Sequence, residues 1–364
     1  MVNGKYIYYL FLMNALINII NFVPRILISA RFRGALIAIF IATAVGTVIL
    51  YVFTRLMSRF QGKGLPEIFN RHLPRFFSAP LLLLYSIFWF GAAIITMLSF
   101  VDITLRFISP DISPYAVMIG FLLLSSFCAR LSSESILYAL ETILLLVTPL
   151  IVYILVKSLT SPGFSWDAVM QIVTHLWTRP NYSAVAGATF IFSGYMNLVV
   201  FNRNFRNLNT RLLWVIPVTS FVILLVTFLV PVGYHGTIGV EDHVYSWFST
   251  ADSIRMELFI IERLLFLFYT TYLSLSLISM SIHWHVGLEL FKGVFRSKEA
   301  EEGSKKGDWW ILGPVCLVTL LLMTFMNQVR LAQMGQWFLN IRFANEFLLL
   351  LFLFIAHRRS AKRT

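Results

Sequence analysis

Three side chains near the end of one apolar run could bind a metal ion or act in catalysis. They are His283, His285 and Glu289, in the stretch SIHWHVGLELFKG. On a helix, residues two positions apart point to opposite sides, so the two histidines cannot bind one ion together. His285 and Glu289 share a face, but two ligands leave a zinc site incomplete. The pattern favours an amphipathic stretch at the membrane surface, anchored by Trp284, and we expect no metal, no cofactor and no enzymatic activity.

Polar residues also interrupt the first apolar run of the chain. Asn14, Asn18 and Asn21 lie four and three residues apart, so they form one stripe on a helix, and Pro24 follows them. Pro24 removes a backbone donor and obstructs the turn before it. In a bilayer, irregular backbone persists only where protein or a water-filled cavity covers it. The stretch is either a broken helix that forms a ligand site, as in transporters, or a proline kink whose asparagines bond neighbouring helices.

The elements that carry these residues must be membrane helices. The chain has 364 residues, of which 58% are apolar and 13% charged, and its mean hydropathy is +0.79. A water-soluble domain with a polar surface cannot have this composition. We therefore predict an all-α polytopic membrane protein, with a single membrane domain over residues 1–364 and ten transmembrane helices of about 20 residues. The predicted spans are 5–30, 34–59, 79–107, 114–130, 135–158, 184–202, 210–231, 254–282, 309–327 and 342–357.

The positions of the basic residues predict the orientation of these spans. Most of the 29 lysines and arginines fall at alternate span ends, and cytoplasmic loops are richer in such residues. Both termini are therefore expected in the cytoplasm, with Arg342 at an outer span end. The net charge of +12 then reflects topology and contact with anionic membrane lipid, and we expect no nucleic acid as a partner.

Ten spans divide into a first repeat, 5–158, and a second repeat, 184–357. Inverted-repeat transporters interrupt the corresponding helix of each half, here spans one and six. Span six carries Ser193 and Gly194 in its middle and Asn197 one turn later. Glycine allows a ligand to approach the backbone closely, although small residues also serve close helix packing. The predicted ligand-binding residues are Asn18, Asn21, Phe22, Val23, Pro24, Phe192, Ser193, Gly194, Tyr195 and Asn197.

Charged residues inside the predicted spans need a reason, because a charge at mid-bilayer costs about 2.5–3.5 kcal/mol on insertion scales. Glu141 in span five is interpreted as a structural partner of an arginine such as Arg130, with a role towards a proton or a ligand amine as the alternative. Glu262 and Arg263 in span eight are adjacent, so on a helix they cannot pair face to face. They are candidates for a gating or a structural role.

Three stretches of the chain resemble one protein family. YVFTRLMSRFQGKGLPEIF, Tyr51 to Phe69, is similar to the family segment that closes span two. ARLSSESILYALETILLLVTP, Ala129 to Pro149, resembles the link into span five, and LFIIERLLFLFY, Leu258 to Tyr269, resembles span eight. The family is the GerAB-type spore permease family, the B subunits of spore germinant receptors. Met196 stands where the family often has a glutamate.

The resemblance implies a fold and a function. The family belongs to the amino acid/polyamine/organocation transporter superfamily, so a LeuT-like five-plus-five inverted repeat with broken helices one and six is implied. A subunit in the spore inner membrane is also implied, which senses a small-molecule nutrient, often an amino acid, beside a germinant receptor A subunit and a lipoprotein C subunit. An ion-coupled amino acid or amine transporter with the same fold is the alternative.

Overall fold

The structure, a computed structural model, describes residues 3–20, 22–205, 208, 210–258, 261–295 and 307–361, with the backbone alone at 256–258, 261 and 262. This part of the chain is helical apart from one pair of short antiparallel strands. The α-helices are α1 Tyr6–Asn18, α2 Phe22–Ser29, α3 Ala35–Ser58, α4 Leu65–His72, α5 Arg75–Phe107, α6 Pro114–Ala129, α7 Ser133–Thr160, α8 Trp166–Val173, α9 Tyr182–Thr189, α10 Leu198–Phe201, α11 Val215–His235, α12 Ser246–Ser253, α13 Leu264–Phe295, α14 Asp308–Phe325 and α15 Gln328–Ala361. The 3-10 segments are Phe190–Asn197, Asn202–Asn204 and Gly239–Asp242, and the strands are β1 Arg255–Leu258 and β2 Ile261–Arg263.

Eight helical runs in the described part of the chain are long and apolar enough to cross a membrane. They are α3, α5, α7, the run 182–204, α11, α13, α14 and α15, and the bent pair α1–α2 would be a ninth. The apolar helix α6 has 16 residues, fewer than the usual length of about 20. The prediction of a helical membrane protein with many spans is confirmed.

Local sequence signals determine where several of these helices begin. Pro114 is the first residue of α6, where its missing backbone donor costs nothing. The side chain of Ser132 caps α7 by accepting a hydrogen bond from the backbone of Ser135. Asn181 caps α9 in the same way through the backbone of Ala184. These caps provide partners for backbone N–H groups that have none within the helix.

Helix α13 lies at the centre of the bundle and α14 at its edge. α13 packs against α5, α6 and α7. The rings of Phe100 and Tyr272 stack at 5.5 Å, and Ser86 Oγ donates to the carbonyl of Gly287 at 2.8 Å. Among the 18 most apolar consecutive residues of the run 182–204, 83% are buried, whereas 17% are buried in the corresponding stretch of α14. The central position of α13 and of span six makes them the walls of any interior site.

Span six is continuous, so the prediction of a broken helix six is wrong. The run Tyr182–Asn204 is one candidate span of 23 residues, and Phe190–Asn197 within it adopts the tighter 3-10 form. A 3-10 helix keeps its i to i+3 backbone hydrogen bonds, so Gly194 does not open the helix. Such a segment is nevertheless long, because runs beyond three or four residues are uncommon and often mark a hinge or strain.

The predicted limits of spans eight and ten are also wrong. Residues Arg255–Leu258 and Ile261–Arg263 form the two antiparallel strands, so Glu262 and Arg263 do not lie on a helix. Hydropathy alone cannot tell a short apolar strand from a helix turn, which explains the error. Helix α15 begins at Gln328, so Arg342 lies within the helix rather than at an outer end.

A chain of ion pairs, here called the Arg203 cluster, joins several helices at one end of the bundle. Arg203 donates to Glu67 on α4 and to Glu289 on α13, each at 2.7 Å. Lys292 Nζ lies 3.1 Å from Glu289 and 2.7 Å from Asp308 on α14. The cluster therefore connects the last turn of span six with three other helices.

A second set of polar contacts closes the opposite end. Arg31 follows α2 and is buried, and it donates to the carbonyl of Thr237 at 2.5 Å and to Glu241 at 2.6 Å. Tyr245 donates to Asp102 near the end of α5 at 2.8 Å. The 3-10 segment Gly239–Asp242 and α12 are thereby held over this end, so the interior of the bundle lies between two polar layers.

Candidate ligand-binding site

The break in the first span is present. α1 ends at Asn18 and α2 begins at Phe22, with a bend of 55° between them. Pro24 lies in the first turn of α2, where a missing backbone donor breaks no hydrogen bond. Asn18 Nδ2 donates to the carbonyl of Asn14 at 2.6 Å. Asn21 lies outside the described residues.

Asparagine side chains form hydrogen bonds with Phe190–Asn197 of span six, which from here on is called the 3-10 segment. The carbonyl of Phe190 accepts from Asn14 Nδ2 and from Ser193 Oγ, both at 2.7 Å. Asn197 Nδ2 donates to the carbonyl of Gly194 at 3.0 Å, and its Oδ1 accepts from Trp89 Nε1 at 2.7 Å. Buried backbone carbonyls need donors, so these asparagines stabilise the 3-10 segment and connect it to α1 and α5.

Two adjoining clefts, together called the central cleft, lie where the break of span one faces the 3-10 segment. The central cleft has room for roughly a few water molecules, so a larger ligand requires the surrounding helices to move apart. Its walls come from α1, α2, α5, the 3-10 segment, α13 and α15. Both clefts are lined by Asn14, Ala92, Phe190, His283 and Phe338; one adds Ile17, Asn18, Phe22, Ile95, Thr96, Ser279, Gly335 and Leu339, and the other Phe88, Trp89, Ser193, Met196, Asn197, Arg342 and Glu346.

Of the ten predicted ligand-binding residues, four line the central cleft, five do not, and Asn21 lies outside the described residues. Asn18, Phe22, Ser193 and Asn197 line the central cleft. The others are buried in contacts with neighbouring helices and stand outside its lining: Val23, Pro24, Phe192, Gly194 and Tyr195.

The contacts of the second group explain why they pack instead of facing the cleft. A Cβ atom built on Gly46 of α3 would lie 2.6 Å from the ring of Phe192, so this ring fills the space over that glycine. The ring of Tyr195 lies 5.4 Å from that of Phe53, also on α3. Gly194 faces the backbone of α1. In a 3-10 helix, residues three positions apart share a face, so Phe192 and Tyr195 lie together against α3, while Ser193 and Met196 lie on a face that lines the cleft.

An ion pair in the cleft was missed by the sequence analysis. Arg342 and Glu346 lie one turn apart on α15 and pair with each other, and their side chains are 9% and 5% exposed. Arg342 also donates to the carbonyl of Ala186 at 2.8 Å and to Thr189 Oγ1 at 3.0 Å. Opposite charges four residues apart inside an apolar run are a recognisable signal. The prediction that Arg342 lies at a span end obscured this signal, because Arg342 lies within α15.

The interpretation of the histidine stretch as a surface element is wrong. His283 lines the central cleft, Trp284 is fully buried, and His285 lies 2.9 Å from Ser133 Oγ and 2.8 Å from the carbonyl of Ala129. α13 continues through this stretch inside the bundle, so its polar side chains bond neighbouring helices. Within the described ranges, no three His, Cys, Asp or Glu side chains are placed to hold a metal ion.

The other predicted charges lie away from the central cleft. Glu141 pairs with Lys5 and accepts from Tyr6 at 2.5 Å, so the prediction of Arg130 as its partner is wrong. Arg263 pairs with Asp252 at 3.0 Å on the exposed side of α12. The side chain of Glu262 lies outside the described residues.

Comparison with known proteins supports the resemblance seen in the sequence. No curated protein matches the chain. A family model with the description spore germination protein matches residues 9–331. This range includes the break of span one, the whole of span six and the centre of α13, and it ends before Arg342. The chain therefore belongs to the spore permease family of spore germination proteins.

Proposed function

We propose that this chain is the nutrient-sensing transmembrane subunit of a spore germinant receptor. It binds a small germinant, which we infer to be an amino acid, in the central cleft and signals through partner subunits to start germination. The observation that carries the proposal is the convergence of polar groups from α1, α5, α13, α15 and the 3-10 segment on one interior cleft. The family is one of transporter-like receptor subunits and not of enzymes.

The proposal includes a fold and a place in the cell. We propose that α6 crosses the membrane as a tenth span and that the ten spans form a LeuT-like inverted repeat with both termini in the cytoplasm. In support, Arg130, Arg203 and Lys292, which this orientation puts on the cytoplasmic side, take part in one network of ion pairs at the end that holds the Arg203 cluster. Family membership supports the spore inner membrane as location and germinant receptor A and C subunits as partners.

Ligand binding and signalling are linked by the narrowness of the cleft. A germinant fits only if α1 and the 3-10 segment move relative to α5 and α15. The ligand binds the wider arrangement of the helices more tightly than the narrow one, so binding shifts the equilibrium towards the wider arrangement. The difference between the two binding free energies is the free energy available for a signal. Partner subunits bound to these helices would sense the change.

A larger side chain at Ala92 tests the site. Ala92 lines both parts of the cleft, so Ala92→Leu fills it and leaves the polar contacts in place. Overpacking that destabilises the bound state by about 1–3 kcal/mol would raise the nutrient concentration for half-maximal germination by about fivefold to about 150-fold. The measurement is nutrient-triggered germination of spores that carry the complete receptor, with the protein level in the membrane measured in parallel.

Ala116→Leu is the matched control, because Ala116 is exposed on α6 and its replacement adds the same atoms to a lipid-facing surface. This variant is expected to germinate normally. A normal response of Ala92→Leu at a normal protein level would exclude the central cleft as the germinant site.

The second candidate is an ion-coupled amino acid or amine transporter, which the polar cleft inside a membrane bundle also fits. A transporter accumulates substrate in proteoliposomes that contain this chain alone and an ion gradient. A receptor subunit shows no such accumulation and requires its partners for a response.

A further inference from the structure

We propose that the Arg342–Glu346 pair makes the central cleft selective for ligands with one positive charge, one negative charge and no net charge, such as amino acids with uncharged side chains. The inference rests on the proposed function, because it requires that the germinant binds in this cleft. It adds the residues that recognise the charged ends of the ligand and the ligands that they reject.

The pair is built into the interior of the bundle. Arg342 Nη1 donates to Glu346 Oε1, and the guanidinium carbon lies 4.8 Å above the centre of the Phe190 ring. The Nε–H of Arg342 is buried and has no hydrogen-bond partner in the part of the chain that the structure describes. A guanidinium presents its donors as a planar fork that matches a carboxylate. Arg342 therefore retains a donor that a ligand carboxylate could use.

Apart from His283, the ionisable side chains in the described part of the cleft lining are Arg342 and Glu346. The polar remainder consists of amides, hydroxyls, the indole of Trp89 and His283, whose Nδ1 faces the carbonyl of Ser279 at 2.7 Å. The two opposite charges cancel, so the lining has no net charge to compensate a charged ligand. Charges inside a membrane bundle are costly unless they are paired.

This charge balance decides which ligands bind. A zwitterion can exchange partners with the ion pair, because its carboxylate takes Arg342 and its ammonium takes Glu346. One pair is broken, two are formed, and no charge remains unpaired. A cation or an anion leaves one member of the pair without a partner in a low-dielectric interior, and an amino acid with a charged side chain brings a third charge. An uncharged sugar forms neither of the two ion pairs, with Arg342 or with Glu346.

The same exchange would reach span six. Arg342 holds the carbonyl of Ala186 and Thr189 Oγ1 in the last turn of α9, directly before the 3-10 segment. A ligand carboxylate that draws the guanidinium towards itself competes with these two hydrogen bonds. Occupancy of the cleft would thereby loosen the junction between α9 and the 3-10 segment, where the hinge is expected.

The first test uses spores that carry the complete receptor and the twenty standard amino acids, glucose and inosine as separate probes. For each amino acid that triggers germination, its amide supplies a cation and its N-acetyl derivative an anion. We expect responses to amino acids with uncharged side chains, and half-maximal concentrations at least about tenfold higher for both derivatives. No response to any amino acid, or an equal response to a singly charged derivative, would overturn the inference.

The second test removes both charges together, because loss of one alone would leave the other buried without a partner. In Arg342→Gln/Glu346→Gln, the half-maximal concentration of the amino acid is expected to rise at least about tenfold. The ratio of the half-maximal concentrations of the two derivatives to that of the amino acid is expected to fall to about two. The control is Arg263→Gln/Asp252→Asn, which neutralises an exposed pair outside the cleft. It should leave the half-maximal concentration of the amino acid and the discrimination against the derivatives unchanged. Unchanged discrimination in the cleft variant would refute the role of the pair.

Two further variants keep the result interpretable. If Arg342→Gln/Glu346→Gln does not accumulate in the membrane, Arg342→Lys replaces it. This variant keeps the cleft neutral but loses the planar guanidinium, so the affinity for the amino acid should fall while the preference for zwitterions remains. Loss of that preference would contradict the inference. Ala92→Leu separates the two proposals. If Ala92→Leu blocks germination but neutralising the pair leaves discrimination unchanged, the germinant site stands and only this inference fails. If Ala92→Leu responds normally, the proposed site itself fails.

Discussion

Replacing Gly194 by leucine is expected to reduce sharply the amount of folded protein in the membrane. A Cβ atom built on Gly194 would lie 2.7 Å from both Phe11 Cα and Asn14 Cβ, and would overlap the carbonyl oxygen of Leu10. These atoms belong to the backbone and the first side-chain carbon of α1, so they cannot rotate away. Overpacking a well-packed interior costs about 1–3 kcal/mol and sometimes more, and here α1 must separate from the 3-10 segment.

The matched control for this change is Gly120→Leu. Nothing lies within 4 Å of a Cβ built on Gly120, which is exposed on α6. The measurement is the amount of protein in the membrane and its thermal unfolding temperature after reconstitution in nanodiscs. A Gly194→Leu protein as abundant and stable as Gly120→Leu would contradict the close contact. Because Gly194 lies against the backbone of α1, Gly194→Leu tests helix packing rather than ligand binding.

Replacing Arg203 by methionine is expected to cost about 3–5 kcal/mol, because it removes the ion-pair partner of Glu67 and one of the two partners of Glu289. The Arg203 side chain is 11% exposed and pairs with Glu67 and Glu289, whose side chains are 29% and 12% exposed. Without the guanidinium, the two carboxylates face one space and repel each other. Thermal unfolding of the reconstituted protein measures the loss.

Two further variants show whether the loss arises from the unpaired charge. Glu289→Gln removes one carboxylate, so Arg203→Met/Glu289→Gln should be more stable than the sum of the two single effects predicts. Arg106→Met is the control, because the Arg106 side chain is 45% exposed and its partner Asp102, 24% exposed, keeps the hydrogen bond from Tyr245. Exposed pairs contribute about 0–1 kcal/mol. A loss for Arg203→Met no larger than that for Arg106→Met would show that the cluster does not stabilise the bundle.

The number and order of the helices could largely be predicted from sequence, because hydropathy is a local property. Most of the predicted spans correspond to a long helix, and the break near Pro24 lies where the polar stripe indicated it. The errors are at boundaries and in conformation. A strand replaced the start of span eight, and a 3-10 segment replaced the break of span six, because Asn14 and Asn197 provide donors that stabilise tight winding.

The candidate site could be predicted only in part. The asparagine stripe identified Asn18, and the small pair in span six identified Ser193, since both patterns are short in sequence. Phe192 and Tyr195 were assigned to the cleft because they are neighbours of Ser193, yet they pack on α3. Distance along the chain does not show which face of a tightly wound helix meets the cleft and which meets another helix.

By itself, the amino-acid sequence determined that this protein crosses a membrane, that its first span breaks, and which family it belongs to. These properties depend on composition, on a proline and on short motifs, all of which are independent of long-range packing. Only the tertiary structure showed that Arg342 contacts Thr189 and that Arg203 contacts Glu67 and Glu289. Whether a charge in a membrane helix is buried, paired or exposed depends on the helices that surround it, and these lie far away in the sequence.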